Sequence, residues 1–463
     1  MEHVIGDWDS TWEFVDAGGD VVGSMRGTES ARWLIEGRLV ELTTQVEGQP
    51  GPSKAWMFYS DVDQLFHLVS VGANGDLWTL DGGLKEYVIT SPLVERPDGS
   101  RMALRFTHDE SDPNVVRAEM SRRTSEDGPW QPATRQTMRR RHSHLPSESR
   151  QFEFWVGRWD VNLRIKQPDG TWPAQSVRAD AKIFSVLDGK AILELWDSQP
   201  IKGFSLRWFD SAADEWKLWL NWPGPGRSGS SGLAGTFRHG RGEFFSERGN
   251  PDGTTTTSRY TFSDITPTSL RWDDAYSTDG GATWRHQWVM EFSRTEQAPR
   301  LPLEGGPTHT YGDGTRCANP EFRRFDEIAG RRSGIVRRLE DGQWREAEAE
   351  LVGHEVLGGC ALIARLRTQV DGQALESLHV LTWNTFASMF EESTLDSRAD
   401  SGLELYYGSS EGDRVSMVRH PVFGEEIAGR RHTWDLGESI SLRVAVPDDA
   451  GGWVDVVVAS FPR

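Results

Sequence analysis

The sequence is poor in cysteine and has no long apolar run. With only Cys317 and Cys360 among 463 residues, there is neither a disulfide framework nor a CxxC metal pair, although a disulfide between the two is left open. No stretch reaches the about 18 to 20 apolar residues of a membrane helix. The first residues also lack the basic and apolar regions of a signal peptide. The sequence therefore predicts a soluble, cytoplasmic protein.

Basic residues are outnumbered, with 51 Lys and Arg against 70 Asp and Glu and a net charge of −19. Such a charge repels phosphate backbones and acidic lipid headgroups, so nucleic acid and membranes are not expected as partners. GxSxG, HExxH and Walker motifs are absent from the sequence, which gives no sign of nucleophilic or phosphate chemistry. We predict that the protein uses no cofactor and no metal.

Two short motifs receive structural interpretations. Residues 224–229 spell GxGxxG, but no helical pattern follows them, so they are predicted to form a loop between strands. His142 and His144 form an HxH pair without a third ligand nearby, which favours a solvated linker over a metal site.

What the sequence does contain is one unit repeated three times. Each copy opens with a glycine and ends with a Trp that is followed ten residues later by an Arg. The opening glycines and closing pairs are Gly6 with Trp130 and Arg140, Gly157 with Trp284 and Arg294, and Gly330 with Trp453 and Arg463. The opening glycine and the closing arginine are 134, 137 and 133 residues apart, so the unit is nearly constant in length. We predict domains at 1–146, 147–297 and 321–463, with a linker at 298–320.

Within a copy, apolar residues alternate with polar ones. The second copy places Trp159, Val161, Leu163 and Ile165 on one face of a strand. No long segment shows the 3.6-residue period of a helix. This pattern predicts an all-β protein of three tandem antiparallel up-and-down barrels, because closure removes exposed sheet edges.

A first strand that opens Gly-x-Trp and a last strand that ends in Arg resemble the lipocalin-like (calycin) superfamily, and the second copy is most similar to uncharacterised bacterial lipocalin-like domains. The resemblance implies that Trp8 packs on Arg140, and Trp159 on Arg294, at the closed end of each barrel. Arg332 stands at the Trp position of the third copy, whose barrel is therefore expected to close loosely. Members bind retinoids, fatty acids, pigments or haem, or act as hydratases or cyclases, so the resemblance does not select a function.

Tryptophan is concentrated in the middle copy, with 11 residues against 6 and 4 in the others. These indoles are interpreted either as core filler or as the wall of a cavity for a flat apolar ligand. The candidate ligand-binding residues are Trp208, Trp219, Trp222 and Trp288.

The candidate acid-base residues are His286, His67 and Glu194. Strand alternation puts His286 on the face of Trp288, and His67 shares a face with Val69. The alternative for each histidine, which the pattern favours, is a hydrogen-bonded wall residue without a catalytic role.

These residues lead to two main hypotheses on function. The first is a protein that binds a hydrophobic small molecule in a Trp-lined barrel cavity. The second is a cofactor-free hydratase, isomerase or cyclase acting on an apolar substrate of polyene, terpenoid or polyketide type, with one of the three residues moving a proton. A third hypothesis is that the barrels are structural and surround a cleft. The sequence indicates no oligomeric state.

Overall fold

The computed structural model describes residues 4–462 except 17, 36–37, 50, 84–87, 97, 113–114, 142–147, 168, 199–200, 224–229, 297–298, 307–316, 371, 399–401 and 424–426. Within these residues the strands form three closed antiparallel barrels of ten strands each. The predicted fold class is therefore confirmed. The GxGxxG motif, His142, His144 and Arg463 lie outside the described residues.

Sequential strands are neighbours in every barrel, as in an up-and-down meander. The first barrel contains β1 (Gly6–Val15), β2 (Val21–Ile35), β3 (Leu39–Val46), β4 (Ser53–Ser60), β5 (Leu65–Val71), β6 (Leu77–Gly82), β7 (Val88–Thr90), β9 (Arg101–Asp112), β10 (Val115–Arg123) and β11 (Gln131–Arg140), with β8 (Val94–Glu95) added to β9. The second contains β12 (Gly157–Ile165), β13 (Val177–Val186), β14 (Ala191–Ser198), β15 (Lys202–Asp210), β16 (Glu215–Asn221), β17 (Ser230–Arg238), β18 (Arg241–Gly249), β19 (Thr255–Ser263), β20 (Ser269–Ser277) and β21 (Arg285–Glu296). The third contains β22 (Gly330–Glu340), β23 (Gln343–Val356), β24 (Ala361–Val370), β25 (Gln373–Asn384), β26 (Met389–Asp396), β27 (Glu404–Glu411), β28 (Arg414–His420), β29 (Arg431–Leu436), β30 (Ser439–Pro447) and β31 (Trp453–Pro462). Short 3₁₀ helices lie at Glu148–Arg150, Glu153–Trp155, Pro302–Glu304, Pro320–Arg323 and Asp326–Ile328.

In the first two barrels a Trp on the opening strand pairs directly with an Arg on the closing strand. Trp8 is the register partner of Arg140, and Trp159 is that of Arg294. The guanidinium carbon lies 4.3 Å from the Trp8 ring centroid in the first barrel and 4.0 Å from that of Trp159 in the second. Both indoles are completely buried. This is the packing that the family resemblance implies.

The opening glycine makes room for this arginine. Gly157 has a φ of +150°, which side-chain-bearing residues rarely adopt, and a Cβ there would overlap the guanidinium of Arg294. The glycine of the motif therefore allows the close approach of the closing side chain.

The third barrel makes an equivalent contact with a different residue. Arg294 donates to the carbonyl oxygens of Val156 and Phe154, one and three residues before the opening glycine. Arg332 donates to Ala329 O at 3.0 Å and Glu327 O at 2.7 Å, the same two positions in the third copy. Among the described residues β22 and β31 pair over four positions, against eight between β12 and β21. The strand pairing that closes the third barrel is therefore shorter than that of the second barrel, but the contact between an arginine and the two carbonyls is kept.

The chain divides into two compact units, Met1–His144 and Leu145–Arg463. The second unit contains the second and third barrels, which share one apolar cluster. That cluster joins outward-facing residues of the second barrel, such as Leu193 and Leu206, to Ile363 and Val380 of the third. All eight residues of β14 are buried because both of its faces are covered.

The segment predicted as a linker is partly packed. Leu303 belongs to the shared apolar cluster and is 3% exposed. Cys317 and Cys360, whose state the sequence leaves open, form a disulfide within the same cluster. In the part of the chain that the structure describes, no helix is long and apolar enough to cross a membrane.

Candidate functional site

The interior of the third barrel contains a cavity of about 540 Å³. One part of its wall is apolar and is formed by residues such as Leu366, Leu442, Val444, Val457 and Ala459. The other part is charged or polar and includes Arg338, Ser377, His379, Asp396, Arg398, Glu404, Arg419, Arg430 and His432. The volume lies in the range usual for small-molecule sites.

Two histidines and one glutamate form a cluster beside this cavity. The Nδ1 atom of His379 lies 2.6 Å from Glu392 Oε1, and that of His432 lies 3.1 Å from Glu392 Oε2. All three residues are at most 4% exposed. One ligand atom from each residue lies within 4.8 Å of the others, so the cluster could hold a metal ion.

Further side chains orient this cluster. Ser377 Oγ lies 2.9 Å from His379 Nε2, and Trp434 Nε1 donates to Glu392 Oε2 at 3.3 Å. The Tyr406 ring stacks on His432 with the ring centroids 3.8 Å apart. Burial alone would raise the pKa of Glu392, but the two histidines outweigh it and hold that pKa well below its usual range. The cluster therefore has a fixed geometry and an ionised carboxylate.

A second carboxylate pairs with two of the arginines. Glu404 accepts from the Tyr406 hydroxyl at 2.6 Å and from Arg430 Nη1 at 2.5 Å, and Arg419 Nη2 lies 3.5 Å away. Burial would raise the pKa of Glu404, but these partners lower it below its usual range. Arg419 and Arg430 are thus paired with Glu404 and not with Glu392.

Arg338 is the cavity cation with the least compensation. Its Nε atom is buried without a hydrogen-bond partner among the described residues. Burial lowers the pKa of Arg338, and the neighbouring charge of Arg398 lowers it further. The two nearby carboxylates are engaged elsewhere, Asp396 with Arg398 and Glu340 with Arg345. Arg398 follows β26 and its side chain is 63% exposed, so the cavity opens at this end.

A larger depression of about 1490 Å³ lies over β22, β23 and β24. It is lined by runs of consecutive residues, including Glu346, Glu348 and Glu350, that come from both faces of the hairpin. Because much of this lining is exposed, it offers no buried chemical group comparable with Glu392.

In the middle barrel, two of the predicted ligand-binding tryptophans lie inside, in contact with other rings. Trp222 and Trp288 have ring centroids 5.4 Å apart, and Trp196 lies 5.6 Å from Trp222 and 5.9 Å from Trp288. Trp272 lies 5.8 Å from Trp288. These indoles pack on one another, as the core-filler interpretation expects.

The other two predicted wall residues lie outside that barrel, so their expected place in its cavity is wrong. Trp208 and Trp219 belong to the apolar cluster shared with the third barrel. Trp219 Nε1 donates to Ser393 Oγ at 3.1 Å, across the contact between the two barrels. Alternation could not assign their face because both faces of these strands are buried.

The predicted inward orientation of His286 is also wrong. Its side chain is 45% exposed, and its Nδ1 lies 3.0 Å from Asp273 Oδ1. A register shift opposite Asp274 and Ala275 leaves Gln287 unpaired between Trp288 and His286. This β-bulge reverses the alternation, so His286 shares a face with Asp273 and not with Trp288.

His67 lies on the outer face of the first barrel, so the structure does not place it in a barrel cavity. A row of register partners runs from the buried Val40 through the partly buried Met57 and Leu68 to the buried Leu80, which leaves His67 on the opposite face. There its Nδ1 lies 2.6 Å from Asp81 Oδ1 and its Nε2 lies 3.2 Å from Asp63 Oδ1. Desolvation lowers the pKa of His67, but these two carboxylates outweigh it and raise the pKa overall.

Glu194 does face the interior of the middle barrel, where it pairs with Arg207. Its Oε2 accepts from Ser205 Oγ at 2.7 Å and from Arg207 Nη2 at 3.4 Å. The Arg207 guanidinium carbon lies 3.8 Å above the Trp155 ring, and burial lowers its pKa to about 10. The structure brings none of the three predicted acid-base residues together.

Sequence reasoning missed His379, Glu392 and His432. Each occupies an inward position on a strand that also carries large apolar side chains, such as Leu381 beside His379 and Trp434 beside His432. A polar residue in phase with such a face was the available signal. The prediction of His286 in the Trp-rich copy used this signal, whereas no residue of the third copy was predicted from it.

Comparisons with known proteins add little. No protein-family model and no curated protein matches the chain. Solved structures with some likeness include a protein of unknown function from the DUF3598 family of Nostoc punctiforme, at 12% identity and a TM-score of 0.21, covering 69% of this chain and 100% of that one. They also include a Trp-to-Ala mutant of transferrin binding protein B from Haemophilus parasuis, at 6% identity and a TM-score of 0.15, covering 98% of this chain and 75% of that one. At such TM-scores neither likeness carries an argument about fold or function.

Proposed function

We propose that the protein binds a small molecule with an apolar body and an anionic head in the cavity of the third barrel. The observation that carries this proposal is the divided wall, which is aliphatic around Leu442 and Val444 and rich in arginine around Arg338 and Arg398. A hydrophobic ligand was expected in the middle barrel. The packed indoles there and the cavity in the third barrel favour the new location.

The charged residues of the cavity wall favour a ligand with an anionic head group. Four arginines and two carboxylates line the cavity, although the whole chain has a net charge of −19. Arg338 is half-buried beside a second arginine, and its two neighbouring carboxylates form ion pairs with Arg398 and Arg345. Because a buried charge is costly without a partner, a ligand carboxylate that pairs with Arg338 would be stabilised.

We also propose that the three barrels belong to the lipocalin-like superfamily. The support is the Gly-x-Trp opening with its closing arginine, repeated in Trp8 with Arg140 and Trp159 with Arg294. Lipocalins have eight strands, whereas these barrels have ten.

The test compares two probes that share an apolar chain and differ in the head group. Isothermal titration with decanoate and decanol should show that decanoate binds at least about tenfold more tightly, equivalent to about 1.4 kcal/mol. Arg338→Gln should remove most of that preference. Arg337→Gln is the matched control, because Arg337 directly precedes Arg338 on β22 and is exposed on the outer face. Equal affinity for both probes, or an unchanged preference in Arg338→Gln, would contradict the proposal.

A further inference from the structure

We infer that His379, Glu392 and His432 form a binding site for one divalent transition-metal ion, with Zn²⁺ as the best match. This inference does not rest on the proposed ligand. It differs from the sequence-based expectation that the protein uses no metal.

The chemical types of the three donor groups favour a transition-metal ion. Two imidazole nitrogens and one carboxylate converge from β25, β26 and β29, with one ligand atom of each within 4.8 Å of the others. Zn²⁺ is commonly held by such nitrogen and oxygen donors, including two His and one Glu, whereas Mg²⁺ and Ca²⁺ prefer oxygen donors throughout.

The two distances between a histidine nitrogen and a carboxylate oxygen need little adjustment. Donors about 2.0 to 2.1 Å from a tetrahedral ion lie about 3.3 Å from each other. His432 Nδ1 and Glu392 Oε2 are already 3.1 Å apart. His379 Nδ1 and Glu392 Oε1 are 2.6 Å apart, so this pair would separate by about 0.7 Å as an ion replaced the proton between them.

The surroundings hold the three groups in place. Ser377 Oγ contacts the remaining nitrogen of His379, Trp434 donates to Glu392, and Tyr406 stacks on His432. Outer partners of this kind orient metal ligands in known sites.

Charge and access also favour a cation. Glu392 is completely buried, and the nearest arginine pair is bound to Glu404. A bound cation would stabilise a carboxylate in such surroundings. Because His379 and His432 line the cavity, a fourth coordination position would face the cavity space.

The experiment titrates chelator-stripped, untagged full-length protein with ZnCl₂ by isothermal calorimetry. We expect one tight site per chain. Affinity should fall in His379→Gln, His432→Gln and Glu392→Gln by more than the about 10- to 100-fold that loss of an outer partner costs, and in Ser377→Ala by about 10-fold. The matched control is His286→Ala, which removes another histidine 3.0 Å from a carboxylate and should leave zinc binding unchanged.

A spectroscopic readout keeps the test informative if one variant fails to fold. Co²⁺ in the same site should give the visible absorption of a tetrahedral ion, and this band should be absent from whichever His→Gln variant retains the circular dichroism spectrum of the wild type. The inference is overturned if folded wild type binds no stoichiometric zinc, in which case a proton compensates Glu392. It is also overturned if the folded variants bind as wild type, in which case the zinc lies elsewhere.

Discussion

Arg332 in the third barrel and Arg294 in the second hold equivalent pairs of backbone carbonyls, although they stand at opposite ends of their repeats. Arg294 is on the closing strand, and Arg332 is two residues after the opening glycine, where the other copies have Trp. One side chain thus supplies the guanidinium from the position where the other barrels place the indole.

This relationship gives the first prediction. Arg332→Ala should lower the free energy of unfolding of the second compact unit by about 1.5 to 3 kcal/mol, because it removes hydrogen bonds from a charged donor to three carbonyls. From the sequence alone, the missing Trp predicts only that this barrel closes loosely. Arg331→Ala, at a side chain that is 59% exposed, should change stability by less than about 0.5 kcal/mol in the same urea titration. Equal effects of the two substitutions would contradict this role.

The second prediction concerns the indole that closes the middle barrel. Trp159→Ala should cost about 3 to 5 kcal/mol, because it deletes a completely buried aromatic ring and the surface on which Arg294 packs. Trp172→Ala is the control, since that ring is 40% exposed in a loop. An unfolding midpoint of Trp159→Ala equal to that of Trp172→Ala would show that Trp159 does not close the barrel.

The third prediction concerns a buried carboxyl in the first barrel. Desolvation raises the pKa of Glu29, although Gln136 and Thr44 donate hydrogen bonds to it. A raised pKa stabilises the fold below the ordinary value near 4.5, and this contribution is lost as pH rises through the raised value. Glu29→Gln should therefore slow local hydrogen exchange of β2 and β3 at pH 8 and have little effect at pH 4.

The exposed Glu13 on β1 provides the control, and Glu13→Gln should leave this exchange unchanged at both pH values. Faster exchange in Glu29→Gln at pH 8 would mean that the ionised carboxylate is favoured in the fold, contrary to the prediction.

The fourth prediction concerns the disulfide, which links residues 43 positions apart. Replacing Cys317 and Cys360 together by Ser should lower the free energy of unfolding by about 2 to 4 kcal/mol, because the unfolded chain loses a constraint. A reducing agent should shift the urea midpoint of the wild type in the same direction and leave the double variant unchanged. Two titratable thiols in unreduced, denatured wild type would show that the bond is absent.

Sequence periodicity was sufficient for the barrels, and the resemblance to lipocalin-like proteins implied the packing of Trp159 on Arg294, which the structure shows. Periodicity was insufficient for His286, since a single unpaired residue, Gln287, reverses which face a side chain occupies. For Trp208 and Trp219 it failed because a second barrel covers the outer face of their strands.

The cluster around Glu392 could not be assembled from sequence for a different reason. His379 is 13 residues before Glu392 on the neighbouring strand β25, whereas His432 is 40 residues after it on β29, which is separated from β26 by two strands and reaches Glu392 across the barrel interior. Their proximity depends on strand register and barrel closure. Strand alternation could have identified each of the three as an inward-facing polar residue, but not their proximity to one another.

We propose that the ligand binds in the third barrel and not in the Trp-rich middle barrel. The most direct measurement is a crystal structure of the full chain with bound decanoate. We expect density for the alkyl chain against Leu442 and Val444 of β30, with the carboxylate within hydrogen-bonding distance of Arg338. Density among Trp196, Trp222 and Trp288 of the middle barrel would contradict it.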